Sequence, residues 1–131
     1  MLEGQVQKDV LKYLKDHRIY HFRFQAQVNL NGLPDILALY KGIFLGLELK
    51  RPKGGRATGL QERKIETITE NGGVGLIIKS VKELDLLIKM IDTYEDDLKG
   101  EMSTQVLLDK FKYRWENESK QVKNWVLRWN K

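Results

Sequence analysis

Residues 32–50 read Gly32-Leu33-Pro34-Asp35-Ile36-Leu37-Ala38-Leu39-Tyr40-Lys41-Gly42-Ile43-Phe44-Leu45-Gly46-Leu47-Glu48-Leu49-Lys50, and the rest of the chain is organised around them. Two apolar runs, Asp35 to Tyr40 and Ile43 to Leu49, flank a Lys-Gly pair. Apolar segments broken by a short glycine-containing turn predict a β-hairpin. Asp35 stands at its entrance, and Glu48 and Lys50 stand at its exit. Residues two apart on a strand point to the same face, so Glu48 and Lys50 share one face and Leu47 and Leu49 the other. An acid and a base inside an otherwise apolar strand are costly unless they are paired or bound to a metal ion. That cost marks the hairpin as a site.

The order Gly32-Leu33-Pro34-Asp35, then Glu48-Leu49-Lys50, resembles the PD-(D/E)xK nuclease signature. More narrowly, it is similar to the virus-type replication-repair nuclease (VRR-NUC) domain, over roughly residues 1–90. That family joins a Gly-x-Pro-Asp turn to a Glu-x-Lys strand, with a glutamate on the first helix and a glutamine opening the helix after the lysine. Glu3 and Gln61 occupy those places here, and Gly72-Gly73 with an apolar segment follows. The resemblance implies an α/β, restriction-endonuclease-like core, in which a mixed sheet of about four strands is flanked by helices. It implies a metal-dependent DNA endonuclease that hydrolyses phosphodiester bonds, structure-specific in the manner of a Holliday-junction resolvase. Asp35, Glu48, the carbonyl of Leu49 and Glu3 would hold Mg²⁺, with Mn²⁺ as a substitute. Lys50 would orient or activate the attacking water, and Gln61 would position water or phosphate. Two symmetric sites cutting two strands imply a homodimer acting on branched or four-way-junction DNA, and a role in DNA repair. The small size suggests a phage or mobile-element protein. Two alternatives stand beside this reading: a non-catalytic DNA-binding module that keeps the nuclease fold, and a sequence-specific restriction-type enzyme.

Composition bounds these expectations. The chain has 131 residues, 41% hydrophobic and 31% charged, which suits a globular domain with a core of its own. It has no cysteine, so disulfides, thiolate metal sites and thiol nucleophiles are excluded. With no membrane-spanning run and no basic-apolar leader, the expected location is the cytoplasm. A net charge of +5 is modest for a nucleic-acid binder, so its placement matters more than its size. No phosphate loop, Ser-His-Asp pattern or dinucleotide fingerprint is present.

Leu2, Val6, Val10 and Leu14 recur every four residues and predict an amphipathic helix ending near His17. Without the resemblance, Glu3 reads as a carboxylate facing the positive helix end. His17 and His21 fall on either side of the helix end and read as surface or packing residues. Ile19 to Val28 alternates Tyr20, Phe22, Phe24, Ala26 and Val28 with His21, Arg23, Gln25 and Gln27, which predicts a half-buried strand with one polar face. Arg23 suits either phosphate contact or solvation. At Asp35 the plain alternative is an Asx-type turn.

Four basic residues and no acid occupy Lys50 to Gly59. Such a run is either a solvated loop or a phosphate contact, and Arg51, Lys53 and Arg56 are its candidate DNA-binding residues. Arg63 and Lys64, near the start of the next helix, oppose its macrodipole and join them. Leu60 to Asn71 is predicted as that helix, with Leu60, Ile65 and Ile68 inward. Val74 to Lys79 follows as a buried strand. Ser80-Val81-Lys82-Glu83 reads as a capping box opening one long helix to Lys99. Residues 1–100 form the expected nuclease core and 101–131 a C-terminal helical extension. The extension holds all three tryptophans and seven basic against four acidic residues. Two helices are predicted in it, one capped by Ser103 and one from about Ser119, forming a hairpin on the core. A subunit contact and a DNA-binding arm are the other roles open to it.

Overall fold

The computed structural model describes residues 3–24 and 33–129, with side chains over 4–24 and 33–118. In order the elements are α1 (Glu3–Asp16), β1 (Tyr20–Arg23), β2 (Ile36–Tyr40), β3 (Ile43–Leu49), α2 (Gly59–Glu70), β4 (Val74–Ile78), α3 (Val81–Thr93), α4 (Glu95–Lys99) and α5 (Thr104–Trp129). The four strands form one mixed sheet in the order β1-β2-β3-β4. β1, β2 and β3 run antiparallel in sequence, and β4 pairs parallel to β3 after the α2 crossover.

The predicted hairpin is β2–β3. Lys41 and Gly42 both have positive φ, as a two-residue type I′ turn requires. The turn is held by Lys41, which reaches Asp92 at 2.7 Å and Glu95 at 3.0 Å, while Tyr40 donates to Asp92 at 2.6 Å. Strand alternation then assigns the faces. Ile36, Ala38, Leu45, Leu47, Leu49, Val74, Leu76 and Ile78 point to the side of α1 and α3 and form the core with Val6, Val10, Leu14, Leu84, Leu87 and Ile91. Gly46, Glu48, Gly75 and Ile77 point the other way, towards α2.

α2 lies on β3 and β4 where a pair of glycines leaves that face without side chains. Gly46 and Gly75 are register partners. A Cβ on Gly46 would run into the Ile68 side chain, and one on Gly75 into the Ile65 carbonyl. The two glycines let the helix backbone approach the sheet closely. Ile65 is buried, as predicted, and Ile68 packs over Gly46, whereas Leu60 is exposed.

Three further expectations change. Tyr20 and Phe22 are the predicted apolar face of β1, yet they are 76% and 56% exposed. They lie on α2's side of the sheet, but α2 covers β3 and β4 and leaves the β1–β2 half open. β1 ends at Arg23, and the predicted continuation to Val28 lies outside the described residues. The long helix from Val81 breaks at Tyr94 into α3 and α4. The two C-terminal helices are a single 26-residue helix, α5. Ser103 caps it, accepting from Val106 N–H at 3.2 Å. Leu107, Leu108 and Phe111 are buried in the common core, where α5 meets α3, α2 and β4. No helix among the described residues is long and apolar enough to cross a membrane.

Candidate active site

The open end of the hairpin brings Asp35, Glu48 and Lys50 together. Pro34 is buried, and Asp35 follows it at the mouth of β2. Asp35 is bonded across the sheet on both of its functional sides. Its carbonyl accepts from Phe24 N–H at 3.1 Å, and its Oδ2 accepts from Leu49 N–H at 2.8 Å. The carboxylate therefore bridges strands instead of closing an Asx turn. In a ladder the N–H and C=O of one residue point to the same neighbour, so the Leu49 carbonyl also faces the Asp35 side.

Glu48 is only 1% exposed. One oxygen, Oε1, accepts from Gln61 Nε2 at 3.1 Å and lies 3.3 Å from Lys50 Nζ. The other, Oε2, is buried with no hydrogen-bond partner. Burial raises the Glu48 pKa, the neighbouring Asp35 carboxylate raises it further, and Lys50 only partly offsets them, leaving it at about 7. An unpartnered carboxylate oxygen beside a second carboxylate is a place prepared for a positive charge.

Gln61 reaches the site through a cap that the sequence reading overlooked. Thr58 Oγ1 accepts from Gln61 N–H at 3.1 Å, and Gln61 Oε1 accepts from Thr58 N–H at 2.9 Å. This capping box starts α2 and leaves the Gln61 amide nitrogen aimed at Glu48. The signal was present as Thr58-Gly59-Leu60-Gln61. The box predicted at Ser80 is absent: Ser80 makes no side-chain cap bond, and Glu83 accepts from Lys79 N–H instead. Gln61 is thus hydrogen-bonded to Glu48 at the site.

Glu3 opens α1, but its side chain lies outside the described residues. Among the described residues there is no cluster of three or more His, Cys, Asp or Glu able to hold a metal ion. The donor set is the Asp35–Glu48 pair, and hard oxygen donors suit Mg²⁺ or Mn²⁺. His17 stacks on Tyr13 at 3.9 Å and His21 Nδ1 lies 2.8 Å from the Ile19 carbonyl, so both histidines serve packing.

Arg51, Lys53 and Arg56 are exposed on the segment that leaves β3 at Lys50 and returns at Thr58. Both ends of this basic loop are therefore fixed at the carboxylate pair. A tight turn shapes it, with Gly54 at positive φ and Gly55 packed on the Arg51 backbone. Arg63 and Lys64 are exposed on the early turns of α2. None of these five cations makes an ion pair among the described residues. By contrast, a cavity of about 400 Å³ at the hairpin turn holds Lys41, Glu95 and Lys99, which pair with one another.

The chain matches no protein-family model and no curated protein. It does match a solved structure described as a VRR_NUC domain, with a TM-score of 0.56 and 24% identity, over 66% of this chain and 94% of that one. A mixed four-stranded sheet with helices on both faces, carrying its acidic pair at the mouth of the antiparallel hairpin, thus has the nuclease-type α/β fold of a VRR_NUC domain.

Proposed function

We propose that the protein is a divalent-metal-dependent DNA endonuclease with its active site at Asp35, Glu48 and Lys50. The observation that carries this reading is the buried, unpartnered Oε2 of Glu48 beside the Asp35 carboxylate. Asp35, Glu48 and the Leu49 carbonyl would hold Mg²⁺ or Mn²⁺, with Glu3 as the further ligand that the family resemblance implies. When bound, such an ion supplies Lewis-acid polarisation of a phosphoryl oxygen and a more acidic water. The chain's own residues do the rest. Leu49 N–H fixes the Asp35 carboxylate, and Gln61 fixes the Glu48 carboxylate through a side chain already immobilised by the cap. Lys50, with its ammonium group at the edge of the buried pair, orients the attacking water and supports charge growing on the phosphate. Arg51, Lys53, Arg56, Arg63 and Lys64 supply sequence-independent phosphate contacts around the site.

One site per chain cuts one strand, so a homodimer acting on branched DNA, including four-way junctions, completes the proposal. The test is incubation with Mg²⁺ or Mn²⁺ and labelled duplex, flap, single-stranded and four-way-junction DNA. Cleavage that is lost in Asp35→Asn, with DNA binding retained, supports the reading. A wild-type protein that binds these DNAs but cuts none of them with either ion would indicate the non-catalytic module.

A further inference from the structure

The sheet face that carries Asp35 and Glu48 continues past α2 as an open aromatic surface. Phe24 is bonded through its N–H to the Asp35 carbonyl, Phe22 is the register partner of Leu37, and Tyr20 that of Leu39. Leu39 in turn partners Phe44, and these two are 49% and 44% exposed. The rings of Phe22 and Phe24 meet edge to face at 5.2 Å. Exposed apolar area of this extent on one face marks a binding surface. From Tyr20 to Phe24 the strand advances about 13 Å, the scale on which sheet aromatics in RNA-binding domains stack two or three bases.

We propose that this half of the sheet is a stacking platform for unpaired bases of single-stranded DNA leading away from the scissile phosphate. The proposal rests on the nuclease reading for the position of that phosphate. Charge favours a polyanion as the occupant. Arg18 is exposed two residues before Tyr20, and Lys50 and Arg51 stand at the site end. The platform residues, Tyr20, Phe22, Phe24, Leu37, Leu39 and Phe44, include no acid. Aromatic rings flanked by cations are the combination that binds single strands without sequence preference. A second copy of the chain seated here would lie on the same face as Asp35 and Glu48, against the residue bonded to Asp35, and would crowd the site that DNA must enter.

The experiment is fluorescence anisotropy with a short labelled oligothymidine and with a blunt duplex, in EDTA so that no cleavage intervenes. Tyr20→Ala and Phe22→Ala should each weaken oligothymidine binding by about 5- to 100-fold. Duplex binding and the salt slope should not change, because no phosphate contact is removed. Phe22→Tyr should bind as wild type, and Phe22→Leu should bind as poorly as Phe22→Ala, because leucine keeps the apolar area and loses the π-face. Circular dichroism melts check that each variant is folded, and Tyr20→Ser replaces any that is not. Wild-type oligothymidine affinity in the alanine variants, or full affinity in Phe22→Leu, would overturn the platform. So would conversion of a dimer to a monomer by Tyr20→Ala with oligothymidine binding intact, which would give the face to a second copy. The two readings fail separately. Cleavage by wild type with ring-independent binding removes only the platform, whereas ring-dependent binding by a protein that cleaves nothing removes only the nuclease reading.

Discussion

The two halves of one sheet face are built in opposite ways. Over β3 and β4 the face is bare backbone where Gly46 stands beside Gly75, and α2 lies directly on that pair. Over β1 and β2 the face is crowded with large side chains, Tyr20, Phe22, Leu37 and Leu39, and no helix among the described residues covers it. The acidic pair stands at the boundary. The glycine half draws α2 close, which brings Gln61 within 3.1 Å of Glu48. The aromatic half leaves the other side of Asp35 accessible. Together the halves give the acidic pair a wall that immobilises its carboxylates and an approach that stays open.

The largest effect expected along this boundary is on chemistry. Asp35→Asn should abolish cleavage, and Lys50→Ala should lower the rate by at least about 10²-fold. Both should leave DNA affinity within a factor of a few, as measured by single-turnover kinetics and anisotropy. Next comes packing. Gly75→Val places its side chain against the Ile65 carbonyl and should cost about 3 kcal/mol or more in urea unfolding. Leu39→Ser, on the open half, should change stability by no more than about 0.5 kcal/mol. Equal costs at the two positions would erase the contrast between the halves. Smaller again is Gln61→Ala. It removes half of the capping box and one bond to Glu48, for about 1 kcal/mol of stability. Its activity should fall by about 10- to 100-fold, as expected when an orienting partner is lost.

Much of this was legible in the sequence because the hairpin is short and its chemistry is local. Two apolar runs around Lys41-Gly42 marked the hairpin, and a spacing of two along one strand put Glu48 and Lys50 on one face. The remainder depends on tertiary placement. A period of two separates the faces of β1 but does not say which face a helix will cover, so Tyr20 and Phe22 read as buried. Nothing in the sequence marks Gly46 and Gly75 as the seat of α2, because their role lies in a helix packed from outside the strands. A second helix is predicted from about Ser119, yet Glu116-Asn117-Glu118-Ser119 contains neither glycine nor proline, and α5 continues through it. At Tyr94 the reverse held: apolar spacing continued while the helix broke, and Asp92 and Glu95 on either side hold Lys41. The Glu3 side chain, and those of Trp125 and Trp129, lie outside the described residues.

If the buried Asp35–Glu48 pair holds a cation, thermal unfolding across pH with and without Mn²⁺ will report it. Folded Glu48 keeps its proton up to about pH 7, while the unfolded chain releases it near 4.5. The metal-free folded state therefore binds more protons between those values. This group's contribution to stability is intact below pH 4.5 and falls by about 3 kcal/mol as the pH rises through 7. Mn²⁺ at about 100 times its dissociation constant should restore about 2.7 kcal/mol at pH 8. Glu48→Gln should flatten the metal-free pH slope and abolish the response to Mn²⁺. A wild-type melting temperature at pH 8 that is the same in EDTA and in millimolar Mn²⁺ would contradict the account.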